Sequence, residues 1–144
     1  MELNKIIIGS DHAGFELKEY LKAKLEEKYD LIDAGTHSEE SCHYPLFAKK
    51  VCESVLKENC FGILICGTGI GMSIMANRFN KIRAALCTTN FMAQMAREHN
   101  NANVLCIGAR VLDNEKSKSI VNIFLNTEFD KENPRHKIRV DMFD

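Results

Sequence analysis

Residues 61–71 read FGILICGTGIG, and this stretch decides the fold. It opens as a wholly apolar run, which is typical of a strand covered on both faces within a parallel sheet. The glycines at 67, 69 and 71 then let the backbone turn tightly and expose successive N–H groups. A buried strand that runs into a glycine-rich loop and a helix is characteristic of doubly wound α/β proteins.

Strand and helix patterns alternate on both sides of this stretch. Short apolar runs predict five strands, and stripes of apolar residues at every third or fourth position predict the helices between them. The strands are predicted at 5–9, 29–35, 61–67, 82–87 and 103–108, and the helices at 15–28, from Pro45 onward, and at 71–80, 89–99 and 114–126. The prediction is a three-layer, Rossmann-like, doubly wound five-stranded parallel sheet with helices on both faces. We expect one domain over 1–144, with the charged tail at 127–144 forming a short helix or arm that packs on a second subunit.

Composition excludes several classes of function. A net charge of -1 and a pI near 6.5 argue against a general surface for nucleic acid or acidic lipid. No apolar run is long enough to cross a bilayer, and the start, MELNKIIIGSDHAG, lacks the pattern of a secretory signal. The six cysteines form no CxxC pair, which disfavours a zinc ribbon. Unpaired thiols suit a reducing compartment, so we expect a cytoplasmic protein.

Polar residues follow several of the predicted strands. Ligands of such sheets bind beyond the carboxyl ends of the strands, near the switch in strand order. Residues 10–14 follow the first strand, 66–71 the third and 108–110 the fifth, while 99–101 end the fourth helix. We expect these four segments to converge on one edge of the sheet.

The glycine loop predicts an anion site with a thiol at its mouth. Backbone N–H groups and the start of the following helix favour negative charge, and they would favour the thiolate of Cys66. Cys66 is therefore either a buried strand-end residue or a reactive base. The loop is neither G-x-G-x-x-G nor a P-loop, so a dinucleotide site is disfavoured. Asp33, which could mimic a ribose-binding acid, fits a turn or capping carboxylate better.

The other candidate residues each have a structural alternative. Asp11 could cap a helix as readily as bind a substrate. His99 could serve only to interact with the dipole at a helix end. Arg135 and Arg139, four residues apart, would face the same way on a helix and could hold a phosphate together with Arg110, or they could belong to a solvated tail.

Seven blocks of sequence resemble the ribose-5-phosphate isomerase B family, which also includes the galactose-6-phosphate isomerase subunits. They run nearly from end to end in the same order: GSDHAGF at 9–15, D-x-GT at 33–36, YP at 44–45, ILICGTGIGMSIMANRF at 63–79, IRAALC at 82–87, REHNNANVLCIGAR at 97–110 and RHKIRV at 135–140. The resemblance implies the Rossmann-like fold and a homodimer, with a tetramer left open, whose sites lie at the subunit interface.

The same resemblance implies a role for each site residue. Cys66 would move a proton between C1 and C2 of an open-chain sugar phosphate, Thr68 and the loop would steady the enediolate, and His99 would open the furanose ring. Substrate contacts are implied for Asp11, His12, Tyr44, Gly67, Gly69, Ile70, Gly71, Asn100, Arg110, Arg135 and Arg139, the three arginines holding the anionic groups. No metal or other cofactor is implied.

Two substitutions depart from the family pattern, and three activities stay open. His43 stands where Asp is usual, and Pro134 where Gly is usual. Some members use a Glu at the position of Met72 as base, so this chain resembles the thiol version, while the galactose-6-phosphate subunits lack the cysteine. The leading hypothesis is the interconversion of ribose 5-phosphate and ribulose 5-phosphate in the pentose phosphate pathway. The alternatives are an isomerase of a six-carbon sugar phosphate, such as allose 6-phosphate, and a non-catalytic phosphate- or nucleotide-binding module.

Overall fold

Strands and helices alternate along residues 4–144, the part of the chain that the computed structural model describes. The strands in this part are β1 (Lys5–Ser10), β2 (Asp30–Asp33), β3 (Phe61–Cys66), β4 (Ala84–Leu86) and β5 (Val104–Gly108). The helices are α1 (Phe15–Leu25), α2 (Tyr44–Glu58), α3 (Ile70–Ala76), α4 (Asn90–Glu98), α5 (Asn114–Asn126) and α6 (Pro134–Asp141).

The five strands form one parallel sheet in the order β2-β1-β3-β5-β4. The chain moves outward from β1 to β2, then returns through α2 to place β3 on the other side of β1. The order therefore switches between β1 and β3, and the crevice beyond their carboxyl ends is the usual place for a ligand in such a sheet. The two outer strands, β2 and β4, have only four and three residues.

Two apolar layers hold the helices on the sheet. Ile6 and Ile8 of β1 face the layer under α1, α4 and α5, while Ile7 faces the layer under α2 and α3. All three are fully buried. Burial of a side chain of this size stabilises the fold by about 1.5–3 kcal/mol, so the apolar run is covered from both sides. The prediction of a doubly wound α/β sheet with helices on both faces is confirmed.

Several elements are shorter than predicted. The helix predicted at 71–80 covers Ile70–Ala76, and the strand predicted at 82–87 covers Ala84–Leu86. Both changes have the same cause, because the side chain of Asn77 accepts the N–H of Ala84 and donates to its carbonyl oxygen. The amide of Asn77 thereby joins the end of α3 to the start of β4.

Helix α4 buries its alanines and exposes its largest apolar residues. Ala93 and Ala96 face the core, whereas Phe91 is 69% exposed and Met92 is 40% exposed. The charged tail does form a short helix, α6, which begins after Asn133 accepts the N–H of Arg135. Within residues 4–144, no helix combines the length and the apolar character needed to span a bilayer.

Candidate active site

Cys66 ends β3 at the carboxyl edge of the sheet, next to the glycine loop. Its side chain is only 5% exposed, but its sulfur is not surrounded by apolar groups alone. The N–H of Gly69 donates to Sγ over 3.1 Å. The sulfur therefore has a polar contact at the start of the glycine loop, a position that suits a group that exchanges protons with a ligand.

Four of the other thiols, those of Cys52, Cys60, Cys87 and Cys106, lie in the apolar layers. Burial raises the pKa of Cys52 and of Cys87 to about 12. Burial also raises the pKa of Cys106 well above its ordinary value, and the neighbouring cysteines add to that effect. These three thiols stay protonated at neutral pH, as expected of small buried hydrophobic residues. All six cysteines are free.

The glycine loop brings other predicted site residues close to Cys66. Gly69 has a φ of 81°, and the next N–H, that of Ile70, donates to Thr68 Oγ1 over 3.2 Å. A Cβ at Gly71 would lie 2.5 Å from the ring of Tyr44, so the ring rests directly on the backbone there.

Arg110 approaches the same loop from β5. A Cβ at Gly67 would lie 3.1 Å from one terminal nitrogen of the Arg110 guanidinium. The N–H of Arg110 donates to the carbonyl oxygen of Gly67, and that of Ala109 to the carbonyl oxygen of Cys66, both over 2.9 Å. The loops after β3 and β5 thus share hydrogen bonds, and they hold the exposed Arg110 guanidinium against Gly67, the residue after Cys66.

The loop after β1 adds two polar side chains to this edge. Asp11 is buried, and its carboxylate accepts the N–H of Gly14 over 3.1 Å. The backbone N–H of Asp11 donates to the carbonyl oxygen of Ile65 over 3.2 Å, which ties this loop to the strand that carries Cys66. Asp11 therefore closes the turn that leads into α1, but it does not cap the helix, whose N-cap is Gly14 without a side-chain cap.

His12 is held in one tautomer by the chain around residue 42. Its Nδ1 accepts the backbone N–H of Cys42 over 3.2 Å. In a neutral ring the proton then sits on Nε2, which leaves Nε2–H as a donor for a ligand. The Cys42 thiol also lies 3.8 Å from Nδ1. Sequence gave no sign of this contact, because the two residues lie thirty positions apart.

Asp33 has a structural role at the end of β2. Its carboxylate contacts Lys18 Nζ at 2.6 Å and Lys22 Nζ at 2.9 Å, and it accepts the N–H of Gly35 over 2.8 Å. Burial alone would raise the pKa of Asp33, but the hydrogen bonds from Lys18, Lys22 and Gly35 outweigh it and hold the pKa below its ordinary value. The turn interpretation of Asp33 agrees with these contacts.

This ion-pair group supports the candidate site through the backbone. Gly35 accepts the N–H of Ser10 through its carbonyl oxygen, and the N–H of Thr36 donates to the Ser10 carbonyl oxygen, both over 2.7 Å. Ser10 directly precedes Asp11 and His12, so Asp33 fixes the turn against which their loop rests. The part played by Lys18 was missed, since a lysine on an amphipathic helix gives no sign that it is fully buried.

Four predicted site residues lie at the opposite edge of the sheet, where the strands begin. Helix α4 runs antiparallel to the strands, so its last turn returns to their amino ends. There the carbonyl oxygen of Asn101 accepts from the Arg83 side chain, which precedes β4. The expectation that residues 99–101 converge with the other loops is therefore wrong within one chain. The residues at this amino edge are His99, Asn100, Arg135 and Arg139.

The end of α4 and the tail form one packed unit at this amino edge. The rings of His99 and His136 stack with their centroids 4.1 Å apart and their planes 16° apart. Arg135 and Arg139 are exposed on the same short helix, α6. Asn100 lines a cavity of about 410 Å³ together with Arg83 and Phe143. In residues 4–144 no cluster of three or more His, Cys, Asp or Glu side chains is placed to hold a metal ion.

This fold, with a thiol at a glycine loop and Arg110 against that loop, defines a class of α/β sugar isomerases. The chain is a member of the Ribose/Galactose Isomerase family, whose model matches residues 6–143.

Relatives across this family are similar over nearly their whole length. The chain is 45% identical to ribose-5-phosphate isomerase B of Escherichia coli K12 over 141 residues, which is 96% of this chain and 93% of that protein. It is 44% identical to a putative sugar phosphate isomerase of Rickettsia bellii over 97% of each chain. The solved structure of a ribose 5-phosphate isomerase from Thermotoga maritima superposes with a TM-score of 0.93, at 52% identity and 97% coverage of both chains.

Proposed function

We propose that this protein interconverts D-ribose 5-phosphate and D-ribulose 5-phosphate through a cis-enediolate, a step of the pentose phosphate pathway. The observation that carries the proposal is the sulfur of Cys66, which receives the N–H of Gly69 in the crevice between β1 and β3. Family membership and the names of the relatives support the same reaction. The free thiols support a reducing, cytoplasmic location.

The reaction needs a ring opening before any carbon loses a proton. In the furanose, O1–H gives up its proton as C1=O1 forms, the C1–O4 bond breaks, and O4 gains a proton. We assign this acid–base exchange to His99, since an imidazole can both accept and donate a proton near neutral pH. The open-chain aldose that results is the substrate for Cys66.

Isomerisation then moves one hydrogen between neighbouring carbons. The Cys66 thiolate takes the proton from C2 and returns it to C1, while a proton passes from O2 to O1, so that C2=O2 forms. The enediolate between these steps carries negative charge, which preorganised donors stabilise. We assign that stabilisation to Thr68 and to the loop of Gly67, Gly69, Ile70 and Gly71.

Binding of the sugar phosphate is assigned to the remaining polar groups. Asp11, Tyr44 and the Nε2–H of His12 surround the crevice and would contact the sugar hydroxyl groups. The arginines would hold the phosphate and the other anionic groups, because a guanidinium matches their oxygens in a two-point contact. These arginines are Arg110, Arg135 and Arg139.

The complete site would need two copies of the chain. Cys66 and His99 lie at opposite edges of the sheet, and β5 alone spans about 13 Å between those edges. We propose a homodimer in which the carboxyl edge of one subunit meets the amino edge of its partner. His99, Asn100, Arg135 and Arg139 would then complete the site of the other subunit, and the tail at 127–144 would pack at the interface. A tetramer would be a further pairing of dimers.

The test is an assay with the purified protein in the presence of a chelator. We expect conversion of ribose 5-phosphate to ribulose 5-phosphate, and a loss of kcat of about a thousandfold or more in Cys66→Ala. Cys87→Ala is the matched control, because that thiol is buried in an apolar layer. Full activity in Cys66→Ala would remove this sulfur from the mechanism.

Parallel substrates separate the other two hypotheses. A higher kcat/KM for allose 6-phosphate than for ribose 5-phosphate would identify a six-carbon sugar phosphate isomerase. Binding of either sugar without turnover, unaffected by alkylation of Cys66, would identify a binding module.

A further inference from the structure

His136 has no role in the mechanism above, yet it is the buried polar residue of an otherwise exposed helix. It lies on α6 and packs face to face on His99. The arginines next to it on this helix, Arg135 and Arg139, point to solvent. His136 therefore joins the proposed ring-opening residue to the helix that carries the proposed phosphate ligands.

The backbone around His136 is tied to the end of α4. The N–H of Asp130 donates to the carbonyl oxygen of Glu98 over 3.0 Å, directly beside His99. The Asp130 carboxylate accepts the N–H groups of Glu132 and Asn133 and lies 3.8 Å from His136 Nε2. These contacts hold His136 in place independently of any ligand, so His136 can act as a rigid support for the ring stacked on it.

From this geometry we propose that His136 is a positioning residue that fixes the ring plane of His99 relative to Arg135 and Arg139. The inference rests on the proposed function, in which the arginines hold the phosphate and His99 protonates O4. The distance from the phosphate to O4 is set by the sugar, so the imidazole must be held at a matching place. A misplacement of about 1 Å can cost a hundredfold in rate.

The chemistry of the two substrates distinguishes a specific effect on ring opening by His99 from a general structural effect on the whole site. Ribose 5-phosphate closes a ring through its C4 hydroxyl, so its conversion needs ring opening. In ribulose 5-phosphate the C5 oxygen that would close the ring is esterified to phosphate, so this sugar stays open-chain. Exchange of its C1 hydrogen with D₂O therefore requires Cys66 but not His99.

The experiment compares these two rates in two variants of the full-length protein. In His136→Leu, we expect consumption of ribose 5-phosphate to fall about tenfold or more, while exchange into ribulose 5-phosphate stays at the wild-type rate. His136→Phe keeps a flat ring on His99 and should recover most of the lost rate. His99→Ala should show the same separation as His136→Leu.

Lys137→Leu is the matched control, because Lys137 is exposed and pairs with Asp141 on the same helix. It should leave both rates unchanged. A parallel fall of both rates in His136→Leu, wild-type behaviour of that variant, or no recovery in His136→Phe would overturn the positioning role. If the leucine variant does not fold, the stack is tested by NMR in the wild-type protein. Absence of an NOE between the ring protons of His99 and His136 would also overturn the positioning role. Absence of turnover in the wild type would instead overturn the proposed function itself.

Discussion

Because Gly69 has no side chain, its backbone fits closely enough for its N–H to donate to Cys66 Sγ. A Cβ at Gly69 would come within 2.6 Å of Leu86 Cδ1 and 2.9 Å of the carbonyl carbon of Ile107. The carbonyl carbon of Ile107 is part of the backbone of β5, so it cannot move away without disturbing the sheet. The φ of 81° adds strain of about 1–2 kcal/mol for a residue with a side chain.

We therefore expect Gly69→Ala to displace the N–H that donates to Cys66 Sγ. Because the loop from Gly67 to Gly71 is also proposed to stabilise the enediolate, displacing its backbone should lower kcat by about a hundredfold, with a smaller change in KM. Alkylation of Cys66 by iodoacetamide should slow in the same variant, because the thiolate loses a donor. Wild-type kcat together with wild-type alkylation would contradict the role of this contact.

Sequence identifies Cys66 and its loop because all the information is local. An apolar run, a thiol and alternating glycines follow one another along the chain. The Cys42 contact with His12 and the stack of His136 on His99 join residues thirty or more positions apart. No local pattern carries such pairs, since they depend on how whole elements pack.

At the scale of elements, the ion pair between Lys18 and Asp33 joins α1 to the end of β2. Lys18 is fully buried, whereas Lys22, the second partner of Asp33, is partly exposed. Removal of the carboxylate would leave the buried ammonium of Lys18 paired only with Glu19, which is 2.9 Å away and 44% exposed. Removal of Lys18 would leave Asp33 paired with Lys22.

Asp33→Asn should therefore reduce the free energy of unfolding by about 1.5–3 kcal/mol, because Lys18 keeps only its contact with the more exposed Glu19. The matched variant Lys18→Met should cost clearly less, and urea unfolding at neutral pH measures both. Equal costs would contradict the buried, asymmetric arrangement described above.

The same pair predicts a dependence on acid. Because the pKa of Asp33 is lower in the folded chain than its ordinary value of 3.8, its stabilisation is present above that value. It is lost as the pH falls through the folded pKa. Between neutral pH and strong acid, the wild type should lose more unfolding free energy than Asp33→Asn. An equal loss in both proteins would contradict the shift.

Element direction also explains the error over residues 99–101. Local patterns identify α4 as a helix, but the edge at which it ends depends on its path back across the sheet. A helix between parallel strands begins at their carboxyl edge and ends at their amino edge. His99 and Asn100 therefore lie away from the glycine loop in their own chain.

At the scale of the whole molecule, exposed apolar side chains are consistent with the proposed dimer. Ile70, Ile74 and Phe91 are each more than half exposed, and so are Ile138 on α6 and Met142 directly after it. The first three lie on α3 and α4, near the glycine loop or at the carboxyl edge. The last two lie on, or directly after, the helix that carries the proposed phosphate ligands, so each edge offers apolar surface to a second copy.

Shared sites predict that two inactive variants restore each other. Cys66→Ala and His99→Ala, unfolded together and refolded at equal concentration, should form mixed dimers with one intact site in each. Half of the dimers would be mixed, so about a quarter of wild-type activity should return. Ribose 5-phosphate turnover measures the recovery, with each variant refolded alone as the control. No recovery despite mixed dimers would place both residues in one subunit's site.

The short outer strands also bear on how the protein behaves when concentrated. Strands β2 and β4 present four and three residues of backbone at the borders of the sheet. So few free hydrogen-bonding groups make a poor template for a foreign strand to add in register. The fold thereby guards against fibril growth at its margins, even though β1, β3 and β5 between them are rich in the aliphatic residues that amyloid favours.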